Sequence, residues 1–366
     1  MFNENCSTQP DDSELQNNCK GSGQDQVPIS PVGKVAAFSI VYGVLFLVAV
    51  IGNALVCIVV FKRKDMRSVT NLFLLNMAIS DMLSTIISIP TLLALEISPH
   101  YWPLGGFMCR ASGLISSIST SVSIYTMVVL ALERYQAIVN PFAVRASRTT
   151  YRRTLTVMVF TWLVSCAISA PQAFVVTIID IPPFKYCQED WTGKGGLVGN
   201  RIYTVVAFIA LFAIPIVVIC SSYVIIIRTL WQPEPVLSEE ESGSTSNEGR
   251  SSHRIYTVHR QKKRRKTAYM LLTVIVAFLV CMLPFQVIVL VSSFVEFQPT
   301  DGYILLINIA SVLAVCSMAC NPFIYSFFSE KFRRAFTDVF QCRCEADIQL
   351  ATTSSIVLVS STMLQK

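Results

Sequence analysis

Charge is what this 366-residue chain has least of: 14% of its residues are Asp, Glu, Lys or Arg, against roughly a quarter in an ordinary soluble protein. So few charges cannot cover a water-facing surface. That excludes a cytoplasmic enzyme, a disordered chain and, despite the formal net charge of +6, a nucleic-acid binder. Histidine is scarce too. His100, His253 and His259 all fall in loops, and the apolar stretches hold no cluster of metal ligands and no nucleophile with its base, so nothing points to an enzyme. Twelve cysteines over this length are too sparse for a small disulfide-stapled scaffold. Residues 1–34 contain no apolar run, so no cleavable signal peptide is visible and the first span acts as its own insertion signal.

What the chain has instead is 53% hydrophobic residues and a mean hydropathy of +0.55. A hydrocarbon core of about 30 Å needs roughly 20 apolar residues per helix. Seven stretches qualify, at about 35–61, 71–96, 107–132, 154–179, 203–228, 267–295 and 303–328. The expected fold is an all-α seven-helix transmembrane bundle. The third stretch is the least apolar, with Ser116, Ser117, Ser119, Thr120, Ser121 and Ser123 in its first half, which suits the middle of a bundle better than a lipid-facing place.

An odd number of spans puts the two termini on opposite sides. The loops on the N-terminal side hold Lys20, Lys34, Arg110, Lys185, Lys194 and Arg201, six basic residues against eleven acidic ones; the other twenty-three of the twenty-nine Lys and Arg lie on the far side. Basic residues stay inside, so the N-terminus is expected outside and the C-terminus in the cytoplasm. Residues 1–34 then form a polar extracellular segment in which Asn5-Cys6-Ser7 is a glycosylation sequon. The stretch 232–266 starts with Pro233 and Pro235, is acidic and Ser/Gly-rich over 238–252, and ends in Lys262-Lys263-Arg264-Arg265-Lys266. It reads as a disordered cytoplasmic loop whose basic end is either a headgroup anchor or a partner-docking surface.

Ionisable groups inside spans are costly and each needs a reason. Asp81 lies mid-span in Leu74-Leu75-Asn76-Met77-Ala78-Ile79-Ser80-Asp81 with nothing basic nearby. Asn53, Asn321 and Ser123 are its candidate hydrogen-bond partners, in either a structural polar knot or a cation pocket. Glu133-Arg134-Tyr135 ends the third span, where plain interfacial snorkelling is the competing explanation. Pro215, Pro284 and Pro322 sit inside the last three spans and permit kinks. Cys109 and Cys187 both face the oxidising side, where a bond between them would pin a loop over the bundle mouth. The cysteines within spans, Cys57, Cys166, Cys220, Cys281, Cys316 and Cys320, read as small packing residues.

These features resemble the rhodopsin-like (class A) G-protein-coupled receptors. The matching residues run in order, helix by helix: Gly52-Asn53, Asp81, Cys109 with Cys187, Glu133-Arg134-Tyr135, Trp162, Pro215 with Tyr223, Phe278 with Pro284, and Asn321-Pro322-Phe323-Ile324-Tyr325. The resemblance covers roughly residues 35–340. It implies that Asp81, Ser123 and Asn321 line an allosteric sodium site, with no other cofactor. It also implies that Glu133 holds Arg134 at rest, that Tyr223 and Tyr325 rearrange when Arg134 turns to a heterotrimeric G protein, and that Phe278 belongs to a core switch near Pro215. Two positions depart from the family. Met282 stands where tryptophan is usual, two residues before Pro284, and Arg264 stands where some relatives carry an acid that pairs with Arg134.

Within the family, Ser116 occupies the place of the aspartate of amine receptors and Val315 that of the retinal-binding lysine, which leaves a peptide as the leading ligand. Glu96, Asp180, Glu189, Asp190, Glu296 and Asp301 make the outer surface acidic. Cys187-Gln188-Glu189-Asp190-Trp191-Thr192 followed by Ile202-Tyr203, and Glu133 to Val139 followed by Pro141, are similar to receptors for RFamide and related neuropeptides. That similarity implies that Glu189 and Asp190 face an arginine of a basic amidated peptide. Gln286, Phe174, Gln172, Thr120 and Ser116 are pocket walls by position. Phe328, Phe332 and Phe336, spaced four apart among Lys331, Arg333 and Arg334, predict an amphipathic helix against membrane lipid over 329–341. Cys342 and Cys344 behind it are either palmitoylated or free thiols. Thr352-Thr353-Ser354-Ser355 and Ser360-Ser361-Thr362 offer phosphate sites to a receptor kinase and arrestin. The rivals are a class A receptor active without a peptide, for which Met282 argues, and a transporter, which predicts an inverted repeat that this sequence lacks.

Overall fold

The computed structural model describes residues 32–139, 151–231, 247–295 and 300–341. Asn5, Glu296, Cys342, Cys344 and the Ser/Thr tail lie outside them. Among the described residues, seven helices are long and apolar enough to cross a membrane: α1 Val32–Lys62, α2 Val69–Ile97, α3 Gly105–Val139, α4 Tyr151–Val175, α5 Gly196–Trp231, α6 Asn247–Ser292 and α7 Asp301–Phe328. A shorter helix, α8 Glu330–Phe340, follows. Strands β1 Val176–Ile181 and β2 Phe184–Glu189 form an antiparallel hairpin between α4 and α5.

The bundle is apolar on its outside, and its largely apolar interior also takes in hydroxyls and amides. Asn53, Ser80, Thr85, Ser121, Thr126, Ser165 and Ser169 are fully buried, while Leu47, Phe160, Leu163, Val217, Val280 and Phe323 are exposed. In the most apolar window of α2, 67% of residues are buried, and in that of α3 half are, against 22–33% in the other five. The serine-rich third span is therefore central, and the second is more central still. Cys166 and Cys220 are exposed rather than packed, so they lie on the outside of the bundle.

Several features of the elements differ from the hydropathy pattern. The fourth span stops at Val175 instead of 179, because Val176-Thr177-Ile178-Ile179 is β-branched and pairs with β2. α6 begins at Asn247, inside the stretch whose composition suggested a loop running to 266; the long straight-chain residues Gln261 to Lys266 favour helix and continue the sixth span. Ahead of Pro215, α5 widens to a π turn over Ile209–Ala213, with the Ile214 N–H reaching the Ile209 carbonyl. The wider turn relieves the clash between a proline ring and the carbonyl four residues back.

α1 and α7 meet at Gly52, where a Cβ would lie 2.9 Å from Pro322 Cγ. Alongside, Asn53 donates to the Ala49 carbonyl (2.9 Å) and to Met318 O of α7 (3.0 Å). Asn53 thus ties two helices together and is not a partner of Asp81; both its acceptors are backbone, which no side-chain pattern shows. Gly52→Val forces the Pro322 ring away. Overpacking of this kind costs about 1–3 kcal/mol, so the detergent-solubilised variant is expected to unfold several degrees (~3–8 °C) below wild type in a thermal melt. An unchanged melting temperature would show that the contact is loose.

The α8 stripe turns inward. Phe332, Ala335 and Phe336 are buried against the bundle, and Phe332 packs on Tyr325 with ring centroids 5.7 Å apart. The amphipathic face expected to meet lipid is therefore used on protein. Ser329 caps the helix by accepting from the Phe332 N–H, and Arg63 pairs with Asp338 at 2.6 Å.

Candidate functional site

At one end of the bundle the hairpin forms a partial roof. Cys187, opposite Ile178 in the ladder, is bonded to Cys109 at the start of α3, their Cα atoms 5.7 Å apart. Backbone bonds add support: Trp102 N to Lys185 O (2.9 Å), Lys185 N to His100 O (2.9 Å) and Asp190 N to Val175 O (2.7 Å). Trp102 and Val175–Val176 are buried around the disulfide.

The acids at this end divide into two kinds. Glu96 is buried and paired with Lys34 at 3.5 Å, so it does not contribute to an exposed acidic surface. Asp180 pairs with Lys185 at 3.1 Å, which raises the lysine pKa. Asp190 accepts the Thr192 N–H at 2.9 Å, and the bonds to Thr192 hold its pKa below the usual carboxylate value. Glu189 is exposed, and its two oxygens accept from neutral donors, Gln172 Nε2 (2.9 Å) and Trp191 Nε1 (2.8 Å). No ion pair to Glu189 or Asp190 occurs among the described residues.

Below the roof, hydroxyls link the helices. Ser116 meets Ser88 at 2.6 Å and Ser117 meets Ser169 at 2.8 Å. Gln172 and Ser117 neighbour the Tyr203 hydroxyl. Thr120 and Gln286 are half-buried. Phe174 is 72% exposed, and its carbonyl accepts from Lys194.

Asp81 sits at the centre, 5% exposed. One oxygen accepts from Ser123 Oγ (3.2 Å), which also meets Ser80 (2.8 Å), and the other accepts from Asn321 Nδ2 (2.8 Å). No basic side chain pairs with it among the described residues. One turn from Ser123 on α3, the buried Ser119 hydroxyl has no partner among them either. A lone carboxylate with hydroxyl and amide oxygens nearby is a donor set suited to a hard monovalent cation. Next to it Trp162 donates to Asn76 (2.9 Å), and Asn76 donates to Thr126 (2.8 Å), joining α4, α2 and α3; only Trp162 of this trio had a sequence signal.

At the far end, Arg134 is held by Glu133 (2.7 Å) and donates to the Thr70 hydroxyl of α2. Tyr135 is half-buried beside Ile138 and Leu230. Tyr223 and Tyr325 are buried, their hydroxyls without partners among the described residues. Phe278, Met282 and Phe212 belong to one core cluster, beside the Pro215 turn. Arg265 donates to the Leu230 carbonyl of α5, and Lys266 pairs with Glu330 of α8 at 3.1 Å.

A disulfide-roofed mouth, a buried acid at mid-depth and a restrained arginine at the opposite end define a seven-helix membrane receptor. The family described as 7 transmembrane receptor (rhodopsin family) matches residues 52–325, and the chain belongs to it. It is a multi-pass receptor and not an enzyme. Its relatives include neuropeptide FF receptor 1 of Rattus norvegicus, 33% identical over 330 residues that cover 86% of this chain and 72% of the relative. A QRFP-like peptide receptor of Branchiostoma floridae is 31% identical over 322 residues, 86% of this chain and 80% of that protein. Neuropeptide FF receptor 2 of Mus musculus is 31% identical over 350 residues, 90% and 79% of the two chains.

Proposed function

We propose that the chain is a plasma-membrane receptor whose hairpin end faces outward and binds a basic amidated peptide, and whose Arg134 end activates a heterotrimeric G protein in the cytoplasm. The excess of Lys and Arg on the Arg134 side supports this orientation. The names of its relatives support a peptide of the RFamide kind. The observation that carries the reading is Glu189, an exposed carboxylate at the mouth, fixed by two neutral donors and without a cation among the described residues. A full negative charge held in place there attracts a guanidinium.

The peptide can shift the bundle only by preferring one of its two arrangements, each 1.4 kcal/mol of preference changing the population ratio about tenfold. Asp81, Ser123 and Asn321 would hold sodium, which supplies positive charge to the buried carboxylate in the resting bundle. On the cytoplasmic side the tail would serve a receptor kinase and arrestin. The test is nucleotide exchange in membranes from cells expressing the chain, with a synthetic amidated peptide ending in Arg-Phe. The expected result is saturable stimulation that mock membranes lack. Exchange that is equally high without peptide would favour the peptide-independent alternative, and solute flux without exchange would favour a transporter.

With Arg264 in place of an acid, another contact restrains the foot of α6: Lys266–Glu330, with side chains 48% and 58% exposed. An exposed pair of this kind is weak and screened by solvent. Lys266→Glu is therefore expected to raise basal exchange by about two- to fivefold, and Lys266→Glu with Glu330→Lys to return it to wild type. Equal basal activity in all forms would show that the pair restrains nothing.

A further inference from the structure

We infer that Trp191 and Gln172 are positioning residues that aim Glu189 at the guanidinium of the ligand, while Asp190 belongs to the turn and does not read ligand charge. This rests on the peptide reading above and divides its acidic pair.

An exposed glutamate turns about three side-chain bonds, and ordering it costs conformational entropy. Here that ordering is built in before any ligand arrives. The Glu189 backbone is fixed opposite Val176 at the end of β2, two residues after the disulfide. Its carboxylate is then gripped from two sides, by Gln172 in the last turns of α4 and by Trp191 two residues along the chain. Trp191 is itself held. Its ring lies on Tyr203 of α5 with centroids 5.5 Å apart, and Gly199 sits so close that a Cβ there would stand 3.4 Å from Trp191 Cε3. The grip therefore runs from two membrane helices to one carboxylate. Both donors are neutral, so they orient the charge without cancelling it. One lone pair on each oxygen remains, the number a two-pronged guanidinium needs.

Asp190 differs at every point. It is half-buried, its Oδ1 accepts the Thr192 N–H, and the Lys194 ammonium donates to its carbonyl oxygen at 3.4 Å and lowers its pKa through space. Its carboxylate is tied to its own turn and has the Lys194 cation nearby, whereas the donors on Glu189 come from other elements and are neutral.

The test compares the amidated Arg-Phe peptide with the same peptide carrying citrulline, which has the shape of arginine but no charge. Affinity for both is measured on the full-length receptor in membranes, with surface level checked by an N-terminal tag. Wild type is expected to prefer arginine by roughly 10- to 100-fold, the range of a charge-assisted hydrogen bond. Glu189→Gln brings the ratio to within about threefold. Trp191→Phe keeps an aromatic ring against Tyr203 and deletes the donor, and Gln172→Leu removes the other; each lowers the ratio about three- to tenfold, the value of one hydrogen bond. Neither changes it further in the Glu189→Gln background, and Asp190→Asn keeps the wild-type ratio.

A ratio that survives both Trp191→Phe and Gln172→Leu but collapses in Glu189→Gln overturns the positioning role and leaves the peptide reading intact. Equal weakening of both peptides by Trp191→Phe and Gln172→Leu overturns it too, since that marks a purely structural part. Collapse in Asp190→Asn overturns the division of roles. A ratio near one in wild type, or one unchanged by Glu189→Gln, sinks the peptide reading at this site. If Trp191→Phe fails to reach the surface, Gln172→Leu decides.

Discussion

Arg134→Ala is expected to reach the cell surface and bind peptide, yet to lose peptide-driven nucleotide exchange by about 100-fold or more. In the structure Arg134 is restrained on two sides, by the Glu133 carboxylate and the Thr70 hydroxyl. Released, it offers five donors in a rigid plane at the end of the bundle away from the hairpin. Two charge-assisted hydrogen bonds to a docked partner, at about 1.5–3 kcal/mol each, account for a loss of that size. Arg134→Lys keeps the charge but not the planar fork, so it recovers only part of the activity. Glu133→Gln weakens the restraint and acts in the opposite direction, raising exchange without peptide by about threefold to tenfold. Exchange measured with a non-hydrolysable GTP analogue checks all three. Full activity in Arg134→Ala would remove Arg134 from the mechanism.

Cys109→Ala carries the second large effect. A two-stranded hairpin is marginal by itself in water, and this one rests on the α2–α3 loop through two backbone bonds, on one bond to Val175 and on the disulfide. The bond closes a sequence separation of 78 residues, for which the chain-entropy picture gives a stabilisation of about 4.5 kcal/mol. Without it the Glu189 grip has no fixed base. Peptide affinity is expected to fall by more than about 100-fold, in line with a loss of about 3 kcal/mol or more. Reductant applied to wild-type membranes should reproduce the loss, and Cys109→Ala should be insensitive to it. Undiminished affinity after reduction would mean that the roof holds without its staple.

The seven spans were legible because hydropathy reports cost in lipid, and that cost scarcely depends on neighbours. The end of α4 was not legible for the same reason: Val176 to Ile179 are as apolar in a strand as in a helix. The helical start of α6 from Asn247 was hidden by a polar composition that fits a loop equally well. Single-position signals picked out residues that have specific partners in the structure, namely Asp81, Arg134 and the two bonded cysteines. Their partners divide by whether a side chain answers them. Ser123 and Asn321 do reach Asp81, whereas Asn53 turns to backbone carbonyls. Thr70, Gln172 and the Lys34–Glu96 pair depend on which helix faces face each other, and that is decided by packing. Phe332 and Phe336 show the same ambiguity, since an apolar stripe suits a lipid surface or a protein groove equally well.

Coupling between the two ends is the central claim, and linkage tests it directly. If peptide at the hairpin end favours docking at the Arg134 end, a docked G protein must tighten the peptide by the same factor. Peptide affinity is measured on one membrane preparation, first with nucleotide-free G protein and then after a GTP analogue releases it. The account predicts that affinity is about 5- to 150-fold tighter with G protein docked, and that Arg134→Ala abolishes the difference. A single peptide affinity, the same with G protein docked and released, would contradict it.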